Sequence, residues 1–364
     1  MEKEQKTKEK SRLKNISNEE KVMAGVIIVL LIGVIVLAYP YLKNLGGKEK
    51  IYSVDIVKIE GCDECFNLDL VSNALNSIEN IKISDEKTLN YDSSEAQKLI
   101  EKYNIEKIPA LIVSSKAIDK IALDENIFRK EENTAIFDKA VPYIELSSGE
   151  VVGIVNMKEV YDSNCKECTS LSKLKTQLEG MGIKINKYEM ISYSSDEGKK
   201  LVAENEITYL PTLLVSKEIS KYWWAFDSII KSFEENEEYY RFAEPFFPNK
   251  EILTGKIKGK VEMIYITNKS CEDCFNVTSL KSIFQNLGIY VDSERYADVA
   301  SSEGKNLLAK YNITAIPTTI LSKEISDYTS IKEILEQVGT FESDKGFILR
   351  KLDALRVKYQ NTGG

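Results

Sequence analysis

Gly61-Cys62-Asp63-Glu64-Cys65 is answered much further along the chain by Ile108-Pro109-Ala110. The same pair of signals returns twice. Asn164-Cys165-Lys166-Glu167-Cys168 is followed by Leu210-Pro211-Thr212, and Ser270-Cys271-Glu272-Asp273-Cys274 by Ile316-Pro317-Thr318. The spacing from first cysteine to proline is nearly constant. All 6 cysteines of the chain lie in these three Cys-x-x-Cys pairs, so the pattern points to dithiol chemistry.

The text around the cysteines repeats as well, with a domain-sized period far above that of solenoid repeats. Ser93-Ser94-Glu95-Ala96 has counterparts at Ser194-Ser195-Asp196-Glu197-Gly198 and Ser301-Ser302-Glu303-Gly304, and Tyr103-Asn104-Ile105 at Tyr311-Asn312-Ile313. Ser216-Lys217-Glu218-Ile219-Ser220 recurs as Ser322-Lys323-Glu324-Ile325-Ser326. In each copy a short β-branched run enters the cysteines: 54–59, 154–160 and 261–266. These read as strands. A helix is expected to start at each cysteine pair, followed by a second strand over 81–84, 183–188 and 289–291. A helix opened by serine and acidic residues comes next. The proline then stands at the head of a third apolar strand, 110–113, 212–215 or 318–321. Strand-helix-strand-helix-strand with crossovers specifies an α/β domain with a partly parallel sheet.

Upstream, residues 1–21 are charged and mixed in sign and read as a solvated tail. Residues 22–42 carry no charge, and a run of that length can cross a bilayer as one helix. The basic residues of the tail outnumber those just beyond the run, which places the tail in the cytoplasm and the rest outside. The expected organisation is tail 1–21, transmembrane helix 22–42, linker 43–50 and three domains, 51–150, 151–256 and 257–364, the last with a C-terminal tail. The localisation is then a cell membrane, crossed once, with the domains extracytoplasmic.

Composition narrows the chemistry. Of 364 residues, 43% are hydrophobic and 29% charged, so the chain can fold around cores. A net charge of −8 gives no footprint for nucleic acid. There are 0 histidines, which removes the usual general base and the commonest zinc ligand. A zinc site also needs four ligands close together, whereas the pairs lie in separate copies; no metal is expected. Purely structural disulfides are the plainer alternative outside the cell, but a loop this short is a poor staple.

A Cys-x-x-Cys at a strand-to-helix junction would place its first thiolate against the positive end of a helix and its second sulfur within reach of a mixed disulfide. A proline heading an interior strand suggests a cis bond that turns the preceding backbone groups toward the cysteines. The dipeptides between the cysteines are acidic in the first and third copies and near neutral in the second. Cys165 is therefore expected to be the most acidic thiol.

On these residues each copy resembles a domain of the thioredoxin superfamily, the family of thioredoxin, glutaredoxin and protein disulfide isomerase, over about residues 51–345. The resemblance implies three tandem thioredoxin-like domains. It makes Cys62, Cys165 and Cys271 attacking thiols and Cys65, Cys168 and Cys274 resolving thiols. Pro109, Pro211 and Pro317 become cis-prolines that help hold substrate backbone. It implies a thiol-disulfide oxidoreductase with no organic cofactor, protein substrates bearing thiols or disulfides, and a redox partner of unknown identity. The chain departs from the family at the residue before each motif, where Gly61, Asn164 and Ser270 replace tryptophan, and in its charged central dipeptides. The family's buried acid beneath the cysteines has a possible counterpart only at Glu159. A non-enzymatic scaffold that holds extracytoplasmic proteins is the rival reading. Tyr222-Trp223-Trp224-Ala225-Phe226 contains both tryptophans and reads as helix core rather than a substrate patch.

Overall fold

A computed structural model describes residues 50–362 apart from Glu244 and Asp344. The expected tail, transmembrane helix and most of the linker lie outside the described residues. Among the described residues no helix is long and apolar enough to cross a membrane. The described backbone gathers into two compact units. The first holds residues up to 157 with 173–188 and 215–231; the second holds 158–172, 189–214 and 232 onward. The division runs through the middle copy.

The first copy is built from β1 (Tyr52–Glu60), α1 (Asp69–Asn76), β2 (Ile81–Asn90), α2 (Ser94–Lys102), β3 (Lys107–Ile108), β4 (Ala110–Ser114), β5 (Arg129–Glu131) and β6 (Thr134–Phe137). Its sheet runs β2-β1-β4-β6-β5. β1 is parallel to β2 and antiparallel to β4, and β6 is antiparallel to β4. The apolar run of β4 is continuous because both faces of the sheet are covered. Leu111 and Val113 join the cluster with Leu68 and Leu75 of the α1 side. Ala110 and Ile112 join Ala96 and Tyr103 of the α2 side. Ser93 caps α2 by accepting the N–H of Ala96.

Two further strands, β7 (Tyr143–Glu145) and β8 (Glu150–Val152), form a hairpin whose first strand pairs with β3. Neither this small sheet nor the β5–β6 hairpin was legible as strand. Both are short, and β3 is only the two residues before Pro109. The second strand of the copy also runs well beyond its apolar start, through Ser84-Asp85-Glu86-Lys87. Its ladder with β1 extends the strand where hydrophobicity fails.

The second copy repeats the plan with β9 (Val155–Tyr161), α3 (Ser172–Gly180), β10 (Ile185–Ser192), α4 (Asp196–Glu204), β11 (Tyr209–Leu210), β12 (Thr212–Ser216), α5 (Trp223–Ile229), β13 (Phe233–Glu235), β14 (Tyr239–Phe242), β15 (Asn249–Glu251) and β16 (Ile257–Lys258). The third has β17 (Val261–Thr267), α6 (Leu280–Asn286), β18 (Val291–Asp298), α7 (Ser302–Tyr311), β19 (Ala315–Ile316), β20 (Thr318–Leu321), α8 (Lys332–Glu336), β21 (Gly339–Glu342), β22 (Gly346–Leu349) and β23 (Gln360–Asn361). The sheet orders are β10-β9-β12-β14-β13 and β18-β17-β20-β22-β21, matching the first. Ser195 and Ser301 cap α4 and α7 as Ser93 caps α2.

One latch recurs within the second and third copies. The buried Tyr222 hydroxyl donates to the Gly153 carbonyl at 2.7 Å and accepts the Lys184 N–H at 2.8 Å. Tyr328 does the same with Gly259 and Tyr290, at 2.6 and 2.9 Å. Burial pushes the Tyr222 phenol up to about 12, and the Tyr328 phenol is raised for the same reason.

Candidate active sites

The three pairs Cys62–Cys65, Cys165–Cys168 and Cys271–Cys274 are closed as disulfides. Every cysteine is half-buried, and the two residues inside each pair are exposed. Pro109, Pro211 and Pro317 all follow cis peptide bonds.

The helices do not begin at the cysteines, contrary to expectation. They begin at Asp69, Ser172 and Leu280, the last after a 3-10 turn over Val277–Ser279. The physical reason repeats in each copy. The residue after the second cysteine spends its N–H on a distant carbonyl instead of an intrahelical one. Phe66 donates to Pro142, Thr169 to Pro248 and Phe275 to Lys358, at 2.9, 2.9 and 3.0 Å. Local side chains then open the turn that follows: Asn67 accepts the N–H of Asp69, Ser170 that of Ser172 and Asn276 that of Thr278. The thiolates therefore do not sit on a helix N-terminus. Their surroundings must be read from loop neighbours.

The carbonyls that accept these bonds belong to the segments entering β7, β15 and β23. Those strands in turn pair with the residues before the cis-prolines. Ile144 faces Ile108, Lys250 faces Leu210 and Gln360 faces Ile316. One strand thus ties each cysteine loop to its proline. It also occupies one side of the pre-proline backbone, while β3, β11 and β19 remain edges of their small sheets.

Backbone landmarks align the loops. Tyr91, Tyr193 and Val299 donate their N–H groups to the carbonyls of Glu60, Tyr161 and Thr267. Two residues before each acceptor stands a buried titratable side chain: Lys58, Glu159 or Tyr265. Lys58 pairs with Asp69 and Glu86. Burial lowers its pKa, but these two carboxylates outweigh burial and hold it above the ordinary lysine value. Glu159 accepts the N–H of Leu171, just past the second cysteine pair, at 3.3 Å. Tyr265 donates to Glu294 at 2.7 Å, and burial together with that carboxylate raises its pKa. Glu159 is therefore one of three different groups at a shared position. The sequence hid this because the loops differ in length: Ser163-Asn164 and Lys269-Ser270 have no counterpart before Cys62.

The residue just after each acceptor differs as well. Asp162 is 8% exposed and accepts the Asn164 N–H at 2.9 Å, while its carbonyl accepts the Cys165 N–H at 3.0 Å. Asn268 does the same for Ser270 and Cys271, at 3.1 and 3.2 Å. In the first copy the position is Gly61. A Cβ there would lie 2.2 Å from the Tyr91 ring, so any side chain would have to displace that ring.

The central dipeptides are not equivalent once folded. Glu167 is paired with Lys260 at 2.7 Å, and Asp273 with Lys358 at 3.5 Å between exposed side chains. Asp63 and Glu64 make no ion pair among the described residues. Burial of the tryptophans also differs from expectation. Tyr222 and Ala225 are core, but Trp223 and Trp224 are 44% and 37% exposed, their indole N–H groups directed at the carbonyls of Lys139 and Met181. Trp223 lines a cavity of about 630 Å³ with Asn104, Lys107, Lys139 and Tyr143.

Three mixed α/β sheets, each with a Cys-x-x-Cys loop and a cis-proline strand, fit tandem thioredoxin-like domains. No known family profile matches the chain, and no curated protein matches it. Several solved structures are similar. The N-terminal domain of alkylhydroperoxide reductase AhpF from Enterococcus faecalis is 14% identical over 53% of this chain and 89% of its own, with a TM-score of 0.17. Human ERp44 is 10% identical over 89% of this chain and 100% of its own, with a TM-score of 0.14. Full-length ERdj5 is 10% identical over 88% of this chain and 44% of its own, with a TM-score of 0.16.

Proposed function

We propose that this protein exchanges thiols and disulfides with protein substrates, from a membrane anchor that holds the three copies outside the cytoplasm. The observation that carries the reading is the threefold pairing of a half-exposed Cys-x-x-Cys disulfide with a cis-proline strand. From the reduced form, the thiolate of Cys62, Cys165 or Cys271 attacks a substrate disulfide. That S–S bond breaks, a mixed disulfide forms and one substrate thiolate leaves. Cys65, Cys168 or Cys274 then attacks the mixed disulfide, closes the internal disulfide and releases the second substrate thiol. Two electrons pass to the substrate; the reverse sequence oxidises a substrate dithiol. A separate thiol or disulfide partner restores the starting state.

Insulin reduction in dithiothreitol tests the exchange. The full chain should accelerate it, and a variant with Cys62, Cys165 and Cys271 changed to Ala should not. A wild-type rate equal to dithiothreitol alone would overturn the reading. The anchor rests on the uncharged run 22–42 and the basic tail before it. Protease added to intact cells should digest residues 51–364, and full protection beside a cleaved control ectodomain would remove extracytoplasmic placement.

A further inference from the structure

Lys250 touches both halves of the second site at once. Its backbone lies opposite Leu210, the residue before Pro211, in the β11–β15 ladder. Its ammonium donates to Asp162 Oδ2 at 2.5 Å. The other carboxylate oxygen of Asp162 accepts the Asn164 N–H, and its backbone carbonyl accepts the Cys165 N–H. A chain of direct bonds therefore runs from the proline strand through one lysine and one aspartate to the loop that begins Cys165. Asp162 is withdrawn from water and Lys250 is half-buried, with side-chain exposures of 7% and 30%. Burial alone would raise the Asp162 pKa, but Lys250 and the Asn164 N–H outweigh it and hold the carboxyl below the usual aspartate value.

The other two copies show which part of this arrangement is common. In the third, Asn268 stands for Asp162 and Gln360 for Lys250, and the two amides make the same bridge at 2.7 Å. In the first, Gly61 and Ile144 hold these places and no side-chain bridge can form. The bridge thus exists in an ionic version in the second copy and a neutral polar version in the third, and the first copy does without it.

We propose that Lys250 and Asp162 form a charged clasp that positions the second Cys-x-x-Cys loop against the proline strand and holds Cys165 in balance between two opposing charges, a balance that the first and third sites lack. The clasp is a positioning device, and it deepens the exchange reading by making the second site alone depend on a pair of charges. With the pair intact its two charges cancel. Without the lysine, the Asp162 carboxylate stands uncompensated on the Asn164 N–H, one residue before Cys165, and opposes the thiolate. Without the aspartate charge, Lys250 favours it. The other charges around this loop are Lys166, Glu167 with its partner Lys260, and the buried Glu159, and neither substitution changes them.

The two changes must therefore move the Cys165 thiol in opposite directions, which loss of structure alone would not do. The test uses the full chain with Cys62, Cys65, Cys271 and Cys274 changed to Ser and Cys168 to Ala, so that only Cys165 reacts. Iodoacetamide alkylation is followed against pH. Lys250→Met should raise the apparent pKa by about half a unit, roughly threefold slower alkylation at a fixed pH below it. Asp162→Asn should lower the pKa, and Lys250→Arg should restore the starting value. The double change Asp162→Asn with Lys250→Gln, which copies the third site, should fold and lie between the single variants. Shifts of one sign in both single variants, or none in either, would overturn the clasp. Because alkylation needs no turnover, such a failure is distinct from a negative insulin assay.

Discussion

Asp162 in the second cysteine loop and Asn268 in the third do the same backbone work. Each accepts the N–H two residues on and carries the first cysteine's N–H on its carbonyl, and each meets a side chain from the strand that pairs before the proline. Lys250 answers one and Gln360 the other. Loop geometry therefore depends on a hydrogen bond that either an ion pair or two amides can make. Charge is free to vary at constant geometry, and with it the stability of a nearby thiolate. Thiol-disulfide chemistry is sensitive to that variable, because a lower thiol pKa favours the reduced form and makes the disulfide a stronger oxidant.

The largest effect expected is loss of exchange at a single site. Changing Cys168 to Ala should trap Cys165 in mixed disulfides with substrates, resolved on a non-reducing gel, and changing Cys165 should trap none. Equal trapping by both variants would remove the division of roles and leave the comparison of first cysteines without meaning.

Next in size is a test of how far the copies are interchangeable. Ala96 of the first copy stands where Gly198 and Gly304 stand in the others, each giving its N–H to the capping serine. A Cβ on Gly304 would lie 2.0 Å from the Asp298 carbonyl oxygen. Gly304→Ala should cost about 2 kcal/mol or more, read as a lower urea midpoint for the third copy. Ala96→Gly should cost about 1 kcal/mol. Equal costs would mean that the cap regions of the copies relax alike.

The comparison of thiols follows. Pairing of Glu167 with Lys260, the looser pairing of Asp273 with Lys358, and Asp63 and Glu64 with no ion pair among the described residues arrange the sites by uncompensated negative charge. The expected order of apparent pKa is Cys165 lowest, Cys271 next and Cys62 highest, by alkylation of variants retaining one cysteine each. Lys260→Met should move Cys165 toward Cys271, and high salt should compress the whole order. An unchanged order and spacing in 1 M salt would show that these exposed charges do not set it.

Smallest is a difference in pH response. The phenols of Tyr222, Tyr265 and Tyr328 are raised by burial, so each is more readily protonated folded than unfolded. Their contribution to stability is complete below the unfolded tyrosine value near ~10 and is lost as pH rises through the folded values. Asp162 is lowered, so its contribution is complete above the unfolded aspartate value near ~4 and is lost as pH falls through the folded one. Asp162→Asn should flatten only the acid limb of a stability-against-pH curve, and Tyr328→Phe only the alkaline limb.

The sequence by itself determined the threefold plan. The cysteine pairs, the prolines, the serine caps and the apolar strands are local signals, and each is spelled within a few residues. Sequence also supplied the run 22–42 on which the proposed anchor rests. Tertiary structure decided where the helices start, because the N–H after each second cysteine is claimed by a carbonyl far along the chain. It also decided that Lys58, Glu159 and Tyr265 share one position, which loops of unequal length concealed. Lys250 and Asp162 are 88 residues apart, and Asn268 and Gln360 are 92 apart. No local pattern marks such partners, since a lysine or glutamine on a short strand looks like any solvated residue until the ladder before the proline brings it to the cysteine loop.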